Sequence, residues 1–590
     1  MRFISILILL GSQFFSIFCQ NSDNEVLRAM RDELERNMNE LQFKDYEKPF
    51  FISYLIFSNE SERFEASGGA LTYHKSKKYM NPYTRVFVGD YNINNNNYFD
   101  KASYVNHNDG FIPLPDNVDY WGIRRHFWLA TNNSYKVAAE KYKNKMTAIK
   151  AKNLKPEDFE APDFSKEKTV TRIIEDTVVR ASNQKLIELV QDVSAVFSDY
   201  PEITDSWVKI ESGKLKFYHV NSEGTEIILP ENTILIYVNA NAYTREFDNI
   251  SHNFSFSVKD INDLPSKDEL VKKAHLLADN LVKTSKLPAW TDSYEGPVML
   301  EKQPVFDLLF RNMFNYGKGL VSRRIPLIND PVKGIHNSNE KTWESKLGHK
   351  VCSKIISMYD FPFMSEFQNQ KLYGMYEIDA DGITPSDTLE LVKNGMLQNL
   401  YTLRIPTKSF PNSNGHWRNA FGFGSYYLWL QKASPGNVLI KSSEAKNRGE
   451  LKKHFLDMAK DDGLAYAVVF RPIIEDASLS TYNCFKVDVN SGDETQIRSV
   501  GISKLNLRSL KDIVATSDKY YVHNLNLNLS ESRKRGHFDN KTKGCPCSFI
   551  YPDAVILKDT ELEGVTKPMK KNAPIVASPL YNDNSNKTAD

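Results

Sequence analysis

The segment Glu344-Ser345-Lys346-Leu347-Gly348-His349 holds two metal-capable side chains, Glu344 and His349, five residues apart. Carboxylate and imidazole are both accepted zinc ligands. On a regular helix, residues at this spacing point about 140° away from each other. Both can reach one ion only if the helix is distorted or ends between them, and Gly348 is suited to that. Cys545-Pro546-Cys547 adds two thiols, at a spacing shorter than the CxxC of a zinc ribbon. His416-Trp417-Arg418 lies in a turn-rich stretch, where Arg418 can hold a peptide carboxylate or carbonyl through charge-assisted hydrogen bonds. The competing reading is a loop packed by an aromatic ring and an ion pair. No Gly-rich phosphate loop, nucleotide fingerprint or Ser-His-Asp order accompanies these residues.

The elements that must position them follow from periodicity. Ser22 and Glu25 form a capping box, and Leu27, Met30, Leu34, Met38 and Leu41 repeat at helical spacing. Strand patterns run over 50–57, 64–73 and 84–91, with Gly68-Gly69 and Asn81-Pro82 as turns. Helices are expected at 120–152, 185–197 and 267–284, separated by strand-like pieces at 206–211, 214–220 and 233–239. A Pro- and acid-rich linker falls at 156–162. The turn-rich segment 290–297 marks a domain boundary. Beyond it, helices are expected at 304–316, 341–358 and 443–461, and a strand at 464–471. The rest reads as strand and turn. Helices set apart from many antiparallel strands imply an α+β class: an N-terminal α/β domain, then a strand-rich C-terminal domain.

At 590 residues the chain is too long for one ordinary core. Lys+Arg (75) and Asp+Glu (74) nearly cancel, which gives no electrostatic case for nucleic acid or an anionic membrane as the main partner. Local basic patches are compatible with that balance, but nothing in the sequence calls for one. Arg2, an apolar run from Phe3 to Leu10 and an aromatic-rich run ending at Cys19 read as a secretory signal peptide. Gly11, Ser12 and Gln13 interrupt the run, so a membrane anchor is the weaker reading. The expected layout is a leader at 1–19, an N-terminal domain at 20–290 and a C-terminal domain at 291–590. Export, to the periplasm or the cell exterior, permits disulfides among Cys352, Cys484, Cys545 and Cys547, in three pairings the sequence does not rank.

Ordered strings along most of the mature chain resemble the TldD/PmbA family, also called modulators of DNA gyrase, in its exported branch. In the first half these are "FFISYLIF", "FEASGGAL", "RVFVGDY" and "RRHFWLATNNSYKVAAEKYKNK". The second half adds "YEGPVMLEKQPVFDLLF", "GMYEIDADGITPSDTLELVKNGMLQNL", "SNGHWRN", "SLKDIVATSDKYYVHN", "IYPDAVILKDTELEG" and "PIVASPL". The resemblance implies a C-terminal metallopeptidase domain with a zinc-binding His-Glu-x-x-x-His helix and a downstream cysteine ligand. Matching Gly348-His349 to the motif's end puts Glu344 in the first ligand slot and Ser345 in the general-base slot. Cys545 or Cys547 falls near the cysteine position. The metal candidates are therefore Glu344, His349 and Cys545, and no catalytic residue is assigned. A serine cannot take the proton from metal-bound water at neutral pH. Glu340 is a carboxylate that could stand in spatially. His416 and Arg418 fall where the family's substrate cleft is expected. The resemblance thus implies a catalytically impaired metallopeptidase homologue, with zinc more readily lost than kept. It would pair with an active TldD-like paralogue, or with itself as a homodimer, and would handle peptides. The alternatives are an active zinc peptidase with an altered site and an envelope scaffold that binds peptide or glycan.

Overall fold

The computed structural model describes residues 23–99, 114, 119–246, 248–314, 319–324, 328–329, 343–418, 433–498, 505–527 and 545–564. The leader, Glu340, Tyr316 and the string "PIVASPL" lie outside the described residues.

The first half is organised by long antiparallel strands. A helix over 23–40 (α1) leads into β1 (Pro49–Ser67) and β2 (Ala70–Val88). The hairpin between them turns on Gly68 and Gly69, at φ +56° and +82°. Strands β3 (Ile203–Asn221), β4 (Glu226–Tyr243) and β5 (Asn249–Val258) continue the sheet in the order β5-β4-β3-β1-β2. The pieces expected at 50–57 and 64–73 are thus joined through Asn59–Arg63, and those at 206–211 and 214–220 are one strand. Each 19-residue strand reaches about 60 Å.

One face of that sheet carries two separate helix layers. Ile52, Tyr54 and Ile56 pack against α1 and α2 (Tyr120–Ala151). Farther along the same strand, Phe64 and Ala66 pack against α3 (Asn183–Ala195) and α4 (Lys267–Lys286). The parity is shared because alternate residues of a strand point to one face. Leu55 and Phe217 point to the opposite face and join the core of the second half.

That second half begins at β6 (Ser293–Glu301), followed by α5 (Gln303–Leu309) and a π turn at Phe310–Phe314. Among the described residues it builds two large sheets beside a small hairpin, Glu366–Phe367 with Gln370–Lys371. One runs Met396–Leu397, β8 (Leu389–Lys393), β7 (Ile356–Asp360), β9 (Asn437–Ser442), β14 (Cys545–Pro552), β13 (Tyr520–Leu527). The other runs Ala445–Lys446, β12 (Ile513–Ser517), β15 (Ala554–Glu563), β6, β10 (Tyr466–Pro472), β11 (Tyr482–Asp488), Glu494–Ile497. Helix α6 (Arg448–Asp461) covers the latter. The halves also interlock, since Leu479–Ser480 pairs with β5 of the first sheet. The class is mixed α/β with many strands and few helices, as the α+β reading expects.

One expected helix is absent. Residues 343–358 form a short 3-10 turn at Trp343–Lys346, a turn at 347–348 and the start of β7.

Candidate functional site

The physical reason for that correction lies in where the backbone of 344–351 finds its partners. Leu347 N–H donates to Glu344 O at 3.1 Å and His349 N–H to Lys346 O at 2.9 Å, closing two tight turns. The chain then pairs with a distant loop. Gly348 N–H donates to Leu397 O, Leu397 N–H to His349 O, and Val351 N–H to Gly395 O, all within 2.8–3.0 Å. Gly348 sits at φ +72°, a conformation that ends any helix there.

The two motif residues meet different surroundings. Glu344 is half-buried and accepts a 2.5 Å hydrogen bond from Ser322 Oγ, itself 3.2 Å from Thr407 Oγ1. His349 is exposed. Cys545 is fully buried on β14, with its thiol pushed up by burial. Among the described residues, no three His, Cys, Asp or Glu side chains are arranged to hold a metal ion. Glu344, His349 and Cys545 are thus not brought together as one such group among the described residues.

His416 and Arg418 lie inside the protein. His416 is 0% exposed. Its Nδ1 is 2.9 Å from Asn414 O and 3.1 Å from Asn414 Oδ1, two acceptors that fix a proton on that nitrogen. Its Nε2 faces Asp360 Oδ2 at 3.6 Å, and its ring lies 4.7 Å from that of Tyr401. Arg418 donates to Pro435 O at 2.6 Å, and its guanidinium covers the Tyr376 ring at 4.3 Å. Both side chains are engaged internally.

The centre of this region is Asp360, which the sequence reading missed. Its oxygens accept from Tyr401 Oη (2.8 Å), Gly436 N (2.8 Å) and Asn437 N (2.9 Å). Burial alone would raise the carboxyl. His416, the Gly436 N–H and the Tyr401 hydroxyl outweigh it and hold Asp360 below the ordinary range. A lone aspartate ending a short strand carries no pattern, so only tertiary contacts reveal it.

A second buried polar group joins the two halves. Asp379 accepts backbone N–H bonds from Asp381, Ile383 and Trp417 at 2.9–3.0 Å. Burial, with the nearby Asp381 charge, still pushes it up to about 8. Asp381 pairs with Arg85 of β2 at 2.8 Å, and Arg404 pairs with Glu223 at 2.7 Å. The Asp-Ala-Asp-Gly string at 379–382 was a usable signal, since closely spaced Asp and Gly residues mark backbone-capping turns.

One arrangement here has the geometry of an activated nucleophile. Ser53 Oγ is 2.8 Å from His219 Nε2, while His219 Nδ1 is 2.8 Å from the Ala380 carbonyl. The carbonyl fixes the proton on Nδ1, so Nε2 accepts from the serine. Both residues are 0% exposed, and burial, then Arg85, drives the imidazole down to about 3. No substrate reaches it, so the pair is a structural tie between β1, β3 and the 379–382 turn.

A strand-rich mixed α/β protein of two interlocked halves is the class these features define. Residues 334–545 match the family described as PmbA/TldA metallopeptidase C-terminal domain. Three solved structures share the fold. A candidate modulator of a DNA gyrase from Thermotoga maritima matches at a TM-score of 0.53 and 14% identity, covering 87% of this chain and 96% of its own. TldE from Thermococcus kodakarensis matches at 0.52 and 10% identity, over 91% and 100%. A candidate modulator of DNA gyrase from Bacteroides thetaiotaomicron matches at 0.51 and 11% identity, over 92% and 99%. No curated protein matches the chain. Residues 334–545 thus match that family's C-terminal domain, and the chain as a whole shares the fold of these structures.

Proposed function

We propose that this metallopeptidase-like chain is a non-catalytic TldD/PmbA-type subunit, exported to the periplasm or cell exterior, that assists an intact-motif paralogue in handling peptides. The local geometry of Glu344 to His349 carries the reading. Glu344 is held by Ser322, His349 faces solvent, and the backbone between them is turned rather than helical. Ser345 occupies the general-base slot. Loss of a positioned general base costs roughly 100- to 10,000-fold in rate. Among the described residues no group of three metal-capable side chains stands beside this segment.

The test is purification from the native source followed by identification of bound chains and of metal. The expected result is co-purification with a paralogue carrying an intact His-Glu-x-x-x-His motif, and peptidase activity that the paralogue's catalytic Glu→Gln variant abolishes. Recovery only as a monomer or self-dimer overturns the pairing. A stoichiometric metal that disappears in His349→Ala overturns the loss of catalysis and restores the altered-site peptidase.

A further inference from the structure

The near-zero net charge of the chain hides a one-sided surface. Helix α2 packs its inner face against the sheet through Ile123, Phe127, Tyr135 and Ala138. At 100° per residue, Trp121, Arg125, Trp128, Lys136, Lys143 and Lys150 fall within a stripe about 80° wide, interrupted by buried Ala139 and half-buried Met146. All six are exposed, Trp121 at 68% and Trp128 at 47%. The stripe runs about 44 Å from residue 121 to 150. None of its four cations forms an ion pair among the described residues. Lys136 and Lys143 instead rest over the rings of Phe43 and Tyr46, at 5.1 and 5.8 Å. Glu140, at the stripe's margin, is the one acidic residue of this helix.

We propose that this face of α2 docks on an anionic lipid surface. The charge is complementary: four uncompensated cations in one line attract anionic headgroups and remain solvated there. The indoles discriminate between polyanions. Each presents a large apolar ring with a single N–H, a shape taken up at the headgroup level of a bilayer. A nucleic-acid duplex would satisfy the cations but offers no apolar layer for two tryptophans on a closed helix face. The inner face of α2 packs on the sheet, so the stripe lies on the side of the helix away from it.

The experiment uses the chain as secreted by an expression host, so that leader processing is the cell's own. Co-sedimentation is measured with vesicles of phosphatidylcholine alone and with 30% phosphatidylglycerol added. The expected result is binding to the anionic vesicles that weakens with salt and is absent from the neutral ones. Trp121→Ala/Trp128→Ala and Arg125→Glu/Lys136→Glu/Lys143→Glu should each reduce partitioning by at least about tenfold. Thermal melts of both variants should remain cooperative and close to the parent, since only exposed ring and cation contacts are lost. Absence of wild-type binding at low salt overturns the proposal, as does binding that both variants retain. Equal or tighter binding to duplex DNA at the same salt also overturns it and makes the stripe a polyanion site.

Discussion

His416 Nε2 stands 3.6 Å from Asp360 Oδ2, both side chains wholly buried, and the carboxylate also holds Tyr401 and the start of β9. Breaking a buried, multiply bonded charge leaves its partners stranded. Asp360→Asn should therefore cost about 3–5 kcal/mol by urea denaturation. The pH dependence has a definite sign. The folded carboxyl lies below its unfolded value, so its contribution is complete above about pH 4 and is lost as pH falls through the lower folded value. The variant should show a shallower acid limb than the parent. An unchanged limb would remove Asp360 from the account.

Asp379 predicts the opposite slope. Its carboxyl is raised to about 8, first by burial and then by Asp381. Between about pH 4 and 8 the folded chain then holds a proton that the unfolded chain releases, so stability declines as pH rises through that window. Asp379→Asn removes the titration, and its urea midpoint should vary less between pH 5 and 8. The variant pays a constant penalty, since an amide NH2 set opposite the Trp417 N–H is itself a donor and cannot accept that bond.

Much of this architecture was legible in the chain, and the failures have identifiable causes. Helices at 120–151 and 267–286 declare themselves because each buries one apolar stripe against a sheet. The middle of β1 was not readable, because Asn59–Arg63 sits on an arm whose polar residues carry no alternation. Residues 341–358 misled for a different reason. Trp343, Leu347, Val351, Ile355 and Met358 have helical spacing and all contribute to the core of the second half, yet turns and a strand bring them there. Periodicity reports burial, and residues 395–397, some fifty positions away, decide the backbone. The Asp360 and Asp379 groups are likewise made of residues far apart in the chain.

The two glycines at that junction separate backbone strain from crowding. A Cβ on Gly348 meets nothing within 4 Å, so Gly348→Ala carries only the left-handed penalty, about 1–2 kcal/mol. A Cβ on Gly395 would lie 2.7 Å from Cys352 O and 2.8 Å from Ser353 O, and its φ is +79°. Backbone atoms cannot swing aside, so crowding adds to the same penalty, for a total of about 2–5 kcal/mol. Chemical denaturation of the two alanine variants should rank them in that order. Equal losses would mean that the 395–397 loop yields easily and does not hold the turn at His349.

Installing the family motif tests whether side chains or backbone decide metal binding at this segment. Glu344→His with Ser345→Glu supplies every residue type of His-Glu-x-x-x-His. If side chains alone were missing, this variant would bind zinc stoichiometrically and cleave peptides. The backbone argues otherwise. The first slot sits in a 3-10 turn beside Ser322, the last follows a left-handed Gly348, and His349 is anchored through its N–H and carbonyl to Lys346 and Leu397. Converging the two imidazoles requires those backbone bonds to break, which a three-ligand site must offset before any affinity appears. Elemental analysis after dialysis against micromolar zinc should find well below one equivalent, with no gain in peptide hydrolysis. One equivalent of zinc in the variant would show that the segment refolds around metal, and that the turn follows from the lost histidine rather than preceding it.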